Sequence, residues 1–381
     1  MVRKLIRNVF VGAPTENTLT NLVIDGGLIV GINAGTADLA EAIDGGGAIL
    51  LPGFVDVHNH GAVGHDVNAS TAEDLLEVAA FLARNGVTAW LPTLVPDSDE
   101  NYQRIIGEID RLMDLQEGKP VAQALGVHYE GVFANEAMCG ALRSKYFKSG
   151  QWSAAGGQLP KLRSGVHMTT LAPEVDGGIE LIKGLVSDGW VVSIGHTRSD
   201  TKTLDAAFDA GARHMTHFFN AMTGVHHRDI GVAGWGLARR EVGFDIIADG
   251  IHVAPKMLEF ACRSKGTDKV SLISDSVAPT GQGDGEYELW GEKIAVVNGR
   301  TQNERGSIAG SVITMRDAVR QMLSLGFSTA EVAQMASTNP AKLLGFDNER
   351  GSIEIGKRAD LVAIDTDGNI KFTMIGGEIA E

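Results

Sequence analysis

Two histidines separated by one residue follow an apolar run near the beginning of the chain. Residues 49–60 read Ile-Leu-Leu-Pro-Gly-Phe-Val-Asp-Val-His-Asn-His. On a β-strand, side chains at positions i and i+2 point the same way, so the imidazoles of His58 and His60 face one spot, with Asp56 behind them. Because imidazole is the commonest side-chain ligand for transition metals, this spacing predicts half of a metal site.

Other residues that bind metals stand at the ends of further strand-like runs. These residues are Glu130, His196, His217 and Asp275, at the ends of Leu-Gly-Val-His-Tyr-Glu, Trp-Val-Val-Ser-Ile-Gly-His, His-Met-Thr-His and Val-Ser-Leu-Ile-Ser-Asp. Catalytic zinc and iron sites combine nitrogen and oxygen ligands with an open coordination position. Taken together, these strand ends predict a catalytic metal site.

A regular alternation of strands and helices would bring these residues together. Strand-like runs occur at 54–60, 87–94, 124–130, 166–171, 191–196, 213–217, 244–249 and 270–275. Amphipathic patterns predict helices from Ser70 (capped by Glu73) to Gly86, and at 98–116, 176–188, 199–210, 253–264, 312–325 and 328–344. Eight strands, most of them followed by a helix, predict a (β/α)₈ barrel of the TIM type, in which functional residues gather at the carboxyl ends of the strands.

Both ends of the chain have a different pattern from the middle. Short alternating runs before residue 52 are broken by Asp25-Gly26-Gly27, which is a hairpin signal. Alternation returns over 351–381. We therefore expect residues 1–51 and 346–381 to form one small β-sandwich domain, and residues 52–345 to form the catalytic barrel.

Composition restricts the possible partners and the compartment. The chain has 381 residues, with 33 basic and 48 acidic side chains and a formal net charge of −15. This balance argues against nucleic acid or an anionic membrane as the main partner and leaves a small-molecule substrate. Only Cys139 and Cys262 are present, and neither a signal peptide nor a membrane-spanning run is apparent, so a cytoplasmic location is expected.

Seven motifs in the barrel region occur in a recognisable order. They are Pro-Gly-Phe-Val-Asp-Val-His (52–58), Glu-Gly (130–131), Thr-Leu-Ala-Pro-Glu (170–174), Gly-His-Thr (195–197), Thr-His-Phe-Phe-Asn-Ala-Met (216–222), Ala-Asp-Gly-Ile-His-Val (248–253) and Ser-Asp-Ser-Val-Ala-Pro (274–279). With Asn-Pro-Ala (339–341) and Gly-Lys-Arg-Ala-Asp-Leu (356–361), they resemble the amidohydrolase superfamily. The fifth and sixth motifs resemble its N-acetylglucosamine-6-phosphate deacetylase family in particular.

The resemblance implies roles for the metal-binding residues. Glu130, His196 and His217 would hold one catalytic divalent metal, zinc or alternatively iron. His58 and His60 would complete a second site bridged by Glu130, so the implied content is one or two ions per subunit. A divalent ion lowers the pKa of a bound water and polarises the amide carbonyl. Asp275 would act as the general base towards that water and then as the acid towards the departing amine.

The resemblance also implies a binding site for the substrate. Asn220, the backbone amide of Ala221, Arg228 and His252 would contact the phosphate, with Arg228 reaching the site of a neighbouring subunit in a homodimer. Other implied substrate-binding positions are Asp249, which would fix the tautomer of His252, His227 in the basic His226-His227-Arg228 segment, Ala309 in the sugar-contacting segment 308–310, and Ala141.

Two positions depart from the pattern of that family. Val132 replaces the proline of the usual Glu-Gly-Pro. Leu142 stands where a histidine normally reaches the substrate carbonyl, and leucine cannot donate a hydrogen bond. Either metal alone polarises the carbonyl, or Arg143, His65 or a second metal takes over that role.

The resulting functional hypothesis is hydrolysis of N-acetylglucosamine 6-phosphate to glucosamine 6-phosphate and acetate. One alternative is a related N-acetyl hexosamine, of the galactosamine type or without phosphate. Another is a cyclic amide or a deaminase substrate, although such relatives usually carry a carboxylated lysine on the fourth strand and Val166–Leu171 contains no lysine. A non-catalytic, metal-free barrel scaffold is the third hypothesis.

Overall fold

A computed structural model describes residues 3–12, 19–33, 41–149 and 158–381. The first strands along the chain are β1 (Lys4–Val11), β2 (Thr20–Asp25), β3 (Leu28–Ile32), β4 (Glu41–Asp44) and β5 (Ile49–Pro52). Strands β2 and β3 are antiparallel and are joined at Gly26 and Gly27, which both have positive φ. The hairpin predicted at Asp25-Gly26-Gly27 is therefore present, since two-residue turns of this kind need positive φ at both positions.

The middle of the chain forms the predicted parallel barrel. The strands that follow are β6 (Phe54–Asn59), β7 (Gly61–Ala62), β8 (His65–Asp66), β9 (Val87–Leu94), β10 (Gln123–Ala124), β11 (Gly126–Phe133), β12 (Val166–Leu171), β13 (Val191–Ile194), β14 (His214–Met215), β15 (Gly243–Ile247) and β16 (Val270–Ile273). Eight of them, β6, β9 and β11 to β16, pair in parallel in that order.

Hydrogen bonds just beyond the last strand close the barrel. The amide of Asp275 donates to the carbonyl of His58 at 2.9 Å, and the amide of His60 donates to the carbonyl of Ser276 at 2.8 Å. These bonds join the carboxyl end of β6 to the residues after β16. They also fix the heights of His58, His60 and Asp275 relative to one another.

Helices cover the outside of the barrel. They are α1 (Ala72–Arg84), α2 (Asp99–Leu115), α3 (Gly178–Ser187), α4 (Thr201–Asp209), α5 (Gly231–Ala238), α6 (Pro255–Lys265), α7 (Met315–Ser324), α8 (Thr329–Ala333) and α9 (Asn339–Leu343), with a π-helical turn (Gln334–Thr338) joining α8 to α9 and 3₁₀ turns at Glu136–Met138, Ser144–Tyr146 and Thr267–Lys269. Seven helical segments were expected, and each lies within three residues of its predicted ends. Helix α5 was not predicted, because five consecutive residues from Val232 to Gly236 are buried and leave no one-sided apolar pattern.

The predicted cap of α1 is wrong by one residue. The side chain of Thr71, rather than that of Ser70, accepts the backbone N–H of Asp74. Asp74, rather than Glu73, completes the capping box. The Ser70 hydroxyl instead donates to the carbonyl of Asp66 at 2.7 Å. The two candidate caps are adjacent and chemically equivalent, so the sequence alone does not separate them.

A small antiparallel sheet that was not predicted follows β16. Its strands are β17 (Gly285–Leu289), β18 (Glu292–Val297) and β19 (Arg300–Asn303). The turn at Asn298-Gly299 was a recognisable hairpin signal, whereas the turn at Trp290-Gly291 was not. We call the sheet formed by β17, β18 and β19 the mouth sheet.

The two chain ends share one sheet. The last strands are β20 (Leu361–Ile364), β21 (Ile370–Ile375) and β22 (Glu378–Ile379). Strand β20 pairs antiparallel with β5, so strands from both ends follow one path in the order β22-β21-β20-β5-β1-β2-β3, with β4 beside β1. The small β structure built from both ends is thus confirmed, as one connected sheet; the exact boundaries at 51/52 and 345/346 stay a prediction.

Alternation along the shared strands connects the end sheet to the barrel. Leu50 and Leu361 enter the core of the end sheet, whereas Leu51 and Val362 enter the core of the barrel. Successive side chains of a strand point to opposite faces, so a sheet buried on both faces contributes alternate residues to two cores.

None of the helices in the described ranges is both long and apolar enough to cross a bilayer.

Candidate metal centre and substrate cavity

Glu130, His196 and His217 form one compact group at the carboxyl ends of β11, β13 and β14, which we call the Glu130 cluster. Oε1 of Glu130 lies 3.0 Å from Nε2 of His196 and 3.0 Å from Nε2 of His217, and the two imidazole nitrogens are 3.0 Å apart. All three residues are buried. Their donor atoms are thus within reach of a single ion.

His58, His60 and Asp275 form a second group, the Asp275 cluster, beside the first. The Nε2 atoms of His58 and His60 are 3.0 Å apart, as the strand spacing predicts. Oδ1 of Asp275 lies 3.2 Å from Nε2 of His60, and Oε2 of Glu130 lies 3.2 Å from that same nitrogen. Glu130 therefore stands between the two clusters, with one oxygen towards each.

Three of these residues have an uncommon backbone conformation. His196, His217 and Asp275 have φ values of 48°, 33° and 49°. Non-glycine residues seldom occupy this left-handed region, and those that do concentrate at functional sites where the surrounding structure holds them. The reversal of the backbone at the strand end directs each side chain towards the barrel axis.

Backbone carbonyls orient two of the imidazoles. Nδ1 of His196 lies 2.7 Å from the carbonyl oxygen of Met138, and Nδ1 of His60 lies 3.1 Å from that of Thr93. Each ring therefore donates its Nδ1–H outwards and presents Nε2 to the cluster, which is the arrangement that metal-ligating histidines need. Sequence reasoning did not find Met138 or Thr93, because backbone contacts leave no signal in residue type.

A buried aspartate supports the turn that carries His217. Asp245 on β15 accepts the backbone N–H of His217 through Oδ1, and its Oδ2 lies 3.1 Å from Nε2 of His214. It is fully buried. Sequence reasoning missed this residue, although a charged side chain inside the apolar run Gly-Phe-Asp-Ile-Ile was a usable signal, since buried charges are rarely without a role.

Asp56 lies beneath the clusters and belongs to neither of them. Its Oδ2 accepts from the hydroxyl of Ser274 at 2.5 Å and from Nδ2 of Asn59 at 3.1 Å. Burial raises the pKa of Asp56, and the bonds from Ser274 and Asn59 oppose that rise. Asp56 therefore ties β6 to the residues after β16 and supports both sides of the Asp275 cluster.

The histidines and the carboxylates of the two clusters shift one another's pKa values. Burial disfavours protonated imidazole, but hydrogen bonds to Asp275 and Glu130 outweigh it and raise the pKa of His60 to about 10. The bond to Glu130 likewise outweighs burial and raises the pKa of His217 to about 9. Burial would raise the pKa values of Glu130 and Asp275, yet the nearby histidines, His58 foremost, lower both. The two buried carboxylates thus require positive charge beside them.

This donor set fits a divalent transition metal. Each cluster offers three ligand atoms within 4.8 Å of one another, and each mixes imidazole nitrogen with carboxylate oxygen. Such a mixture suits zinc and iron, and a divalent cation supplies the positive charge that the buried carboxylates require. The described residues therefore form two candidate divalent metal sites that share Glu130.

A cavity of about 290 Å³ opens above the two clusters. Its lining includes His60, Glu130, Gly140, Ala141, Leu142, His196, His217, Asn220, Ala221, Ile247, His252, Asp275, Trp290, Ser307, Ile308 and Gly310. Of the substrate-binding residues predicted from sequence, Ala141, Asn220, Ala221 and His252 line it. Trp290 was missed, because it lies in the unpredicted mouth sheet.

The other predicted substrate-binding residues lie outside the lining. Asp249 lies behind His252, with Oδ2 at 2.6 Å from Nδ1 of that imidazole. Ala309 is fully buried, and its neighbours Ile308 and Gly310 reach the cavity in its place. His227 and Arg228 are exposed, with their side chains 2.6 Å apart, and do not line the cavity of their own chain.

Leu142, which stands where the resemblance implies a histidine, lines the cavity. Neither proposed side-chain substitute lines the cavity: Arg143 donates to Asp97 at 2.7 Å, and Nε2 of His65 lies 3.2 Å from Glu77. Both side chains thus have partners outside the cavity lining. Polarisation of the carbonyl by one metal alone, or with a second metal at the Asp275 cluster, stays a prediction. Val132 is fully buried.

Comparison with known proteins gives one family. The model of the Amidohydrolase family matches residues 49–380. N-acetylglucosamine-6-phosphate deacetylase of Bacillus subtilis (strain 168) is 34% identical over 341 residues, covering 87% of this chain and 85% of that protein. N-acetylgalactosamine-6-phosphate deacetylase of Escherichia coli O157:H7 is 34% identical over 333 residues, covering 87% and 88%.

A solved structure with bound substrate matches over the full length. It is a mutant of N-acetyl-D-glucosamine-6-phosphate deacetylase from Mycobacterium smegmatis in complex with N-acetyl-D-glucosamine-6-phosphate. The TM-score is 0.87 at 30% identity, and the match covers 100% of both chains. The similarity therefore includes the barrel, the sheet of the chain ends and every strand end that carries a cluster residue.

Proposed function

The chain belongs to the amidohydrolase family, and from this premise we propose that it hydrolyses N-acetylglucosamine 6-phosphate to glucosamine 6-phosphate and acetate. The observation that carries the proposal is a single cavity that joins the Asp275 and Glu130 clusters to the polar residues Asn220 and His252. One small molecule in this cavity can therefore place an amide group at the clusters and an anionic group at Asn220 and His252.

Asp275 is the proposed proton carrier. A bound divalent metal supplies Lewis-acid activation of water and of the amide carbonyl. The lowered pKa keeps Asp275 ionised and ready to accept a proton from the attacking water. As the new C–O bond forms and the C–N bond breaks, Asp275 passes this proton to the leaving nitrogen. The second proton of the water passes from the new carboxylic acid to the amine, so the products are acetate and a protonated amine.

Asn220, Ala221 and His252 are the proposed phosphate contacts. The Nδ1–H of His252 donates to Asp249, which leaves Nε2 of the ring free of that bond. Asp249 also accepts the backbone N–H groups of Ile251 and His252 at 2.8 Å, so the loop and the ring are held together. A ring held in one orientation loses little entropy when it binds an anion.

We assign Arg228 to the phosphate of a neighbouring subunit in a homodimer. Arg228 is exposed and does not line the cavity of its own chain. In sequence it lies between Val225 and Ile230, two exposed apolar residues that are 57% and 40% accessible. Apolar residues around an arginine are typical of the centre of an interface. A symmetric dimer would bury these residues and deliver the guanidinium to the partner.

We further propose zinc as the metal, with two ions per subunit, and a cytoplasmic location. Two imidazoles and one carboxylate are a common set of zinc ligands, and each of the two clusters offers this set.

The proposed cytoplasmic location is compatible with the two cysteines, which are both free thiols, as expected in a reducing compartment.

Acetate release from a panel of sugars tests the reaction. We expect the wild type to act on N-acetylglucosamine 6-phosphate, more slowly on its galactosamine isomer and least on unphosphorylated sugars. Asp275→Asn should lower kcat by about 10²- to 10⁴-fold, the usual contribution of a positioned acid–base group. Asp188→Asn, at an exposed position, is the matched control and should leave kcat unchanged.

Arg228→Ala tests the phosphate assignment and the dimer together. KM should rise for phosphorylated sugars and stay unchanged for unphosphorylated ones, whereas exposed Arg240→Ala should change neither. Light scattering of the wild-type protein should give the mass of a dimer.

Two outcomes would contradict these assignments. If the wild type releases no acetate from any sugar, the proposed reaction is wrong; if KM for phosphorylated sugars is unchanged in Arg228→Ala, that residue does not contact the phosphate.

A further inference from the structure

An unusual residue occupies one turn of the mouth sheet. The turn between β17 and β18 is Trp290-Gly291, with φ values of 56° and 80°, and the turn between β18 and β19 is Asn298-Gly299, with φ values of 51° and 74°. Asparagine followed by glycine is the favoured choice for such a turn. A left-handed backbone is unfavourable for tryptophan, so the reason for Trp290 lies in its tertiary contacts.

The side chain of Trp290 reaches back to the metal centre. Its indole N–H donates to Oδ2 of Asp66 at 2.8 Å, which fixes the ring. The ring stands edge-to-face with the imidazole of His60, at 5.4 Å between centroids. Trp290 therefore forms a fixed apolar wall of the cavity next to the Asp275 cluster.

Leu142 completes this wall from the other side. It is buried and packs in one apolar group with Trp290. A Cβ atom at Gly131 would collide with Cδ1 of Leu142, so the leucine lies directly over the residue that follows Glu130. Both apolar side chains thus lie next to cluster residues, where the amide carbon must react.

The polar end of the cavity lies elsewhere. His252 follows β15, the seventh barrel strand, whereas Leu142 follows β11, the third. In a closed barrel of eight strands, the third and seventh strands stand opposite each other. A substrate whose anionic group binds near His252 and whose amide lies at the clusters places its acyl chain towards Leu142. Trp290 packs in the same apolar group as Leu142 and against His60.

We propose that Trp290, backed by Leu142, sets the length of the acyl group that the enzyme accepts. This assignment rests on the proposed deacetylase function. The indole fills the space into which an acyl chain longer than acetyl would extend. Removing the ring opens that space to N-propionyl and N-butyryl amino sugar phosphates, while the clusters and the phosphate contacts stay in place.

Trp290→Asn is the most direct test, because asparagine suits the left-handed turn and removes the ring together with its bond to Asp66. We would measure kcat/KM for the N-acetyl, N-propionyl and N-butyryl substrates. Hydrophobic pockets discriminate one methylene by about 10- to 200-fold, so the acetyl preference of the wild type should fall by at least about tenfold in the variant. Trp290→Phe keeps an aromatic ring and should retain most of the preference.

A binding measurement separates the acyl pocket from a general role in sugar binding. In protein that carries Asp275→Asn, we would measure the Kd of the N-butyryl substrate divided by the Kd of the N-acetyl substrate. Adding Trp290→Asn should lower this ratio towards one, and adding Leu142→Ala instead should also lower it. An unchanged ratio in both variants, or equal losses for every acyl group, overturns the assignment; no activity of the wild type on any substrate overturns the deacetylase proposal itself.

Discussion

The Glu130 cluster and the Asp275 cluster are built differently, although they touch. The Glu130 cluster takes its ligands from three separate strands, and two of the three, His196 and His217, have left-handed backbones. The Asp275 cluster takes His58 from β6 and His60 from the residue just after that strand, and only Asp275 from a left-handed position. One cluster therefore depends on loop conformation and the other mainly on strand periodicity.

The shared residue Glu130 makes the clusters unequal in importance. Its Oε1 contacts the histidines of its own cluster at 3.0 Å, whereas its Oε2 contacts His60 at 3.2 Å. Loss of Glu130 therefore removes a ligand from both sites, and loss of His60 removes a ligand from one. Asp275 in turn is both a candidate ligand and the proposed proton carrier.

Substitution of the bridging residue should have the largest effect. In Glu130→Gln, both sites lose their common carboxylate, so we expect metal content to fall towards zero. Transition-state stabilisation of several kcal/mol by metal corresponds to a loss of about a thousandfold or more in kcat. Metal analysis by mass spectrometry and acetate release measure the two effects.

Glu180→Gln, on an exposed face of α3, is the matched control for this charge change. It should keep wild-type metal content and activity. Full metal content in Glu130→Gln would contradict the bridging role.

A smaller loss should follow from weakening the Asp275 cluster alone. His60→Asn removes one ligand and the imidazole that hydrogen-bonds Asp275, while the Glu130 cluster stays complete. We expect one ion per chain instead of two and a fall in kcat on the order of 10- to 100-fold, the scale found for residues that support a metal ligand. Loss of both ions would show that the clusters do not fill independently.

The left-handed turn of the Glu130 cluster can be tested through Asp245. Asp245→Asn weakens the bond that holds the backbone of His217, so metal affinity should fall by about tenfold. Competition with a calibrated chelator measures this affinity. His214→Asn breaks the other contact of Asp245 and should leave affinity near wild type; an equal fall would mean that the effect is general destabilisation.

The smallest expected difference lies in how pH affects the metal-free protein. The raised pKa values of about 10 for His60 and about 9 for His217 mean that bound protons stabilise the chelated fold. This contribution is complete below pH 6.5 and is lost as pH rises through 9 to 10.

Thermal unfolding of chelated and metal-loaded protein measures this dependence. Between pH 7 and pH 10, Tm of the chelated form should fall more steeply than Tm of the loaded form. His60→Asn should remove the upper part of that fall. Parallel curves for the two forms would contradict the charge coupling between the clusters.

The contrast between the clusters also explains what could be predicted from sequence. The i, i+2 spacing was sufficient to orient His58 and His60, because a strand fixes side-chain direction with a period of two. The same periodicity could place His196, His217 and Asp275 only at strand ends. Their direction depends on a left-handed backbone and on contacts with residues distant in sequence. Asp245 accepts the backbone N–H of His217, and the carbonyl of Met138 lies against the ring of His196.

The barrel was predictable because its eight strands and most helices carry local patterns. Helix α5 and the mouth sheet were missed for opposite reasons. Helix α5 is buried on nearly all sides and shows no amphipathic stripe, whereas the strands of the mouth sheet are short and combine exposed polar residues with a few buried ones. The wall formed by Trp290 and Leu142 was beyond reach, since it joins two loops whose contact only the fold creates.

Metal titration of the chelated wild-type protein, with zinc content and acetate release followed together, tests the central claim most directly. The two-cluster account predicts that activity on N-acetylglucosamine 6-phosphate is absent without metal, appears with the first ion per chain and increases further with the second. Full activity of metal-free protein, or activity that does not change as zinc binds, would contradict it.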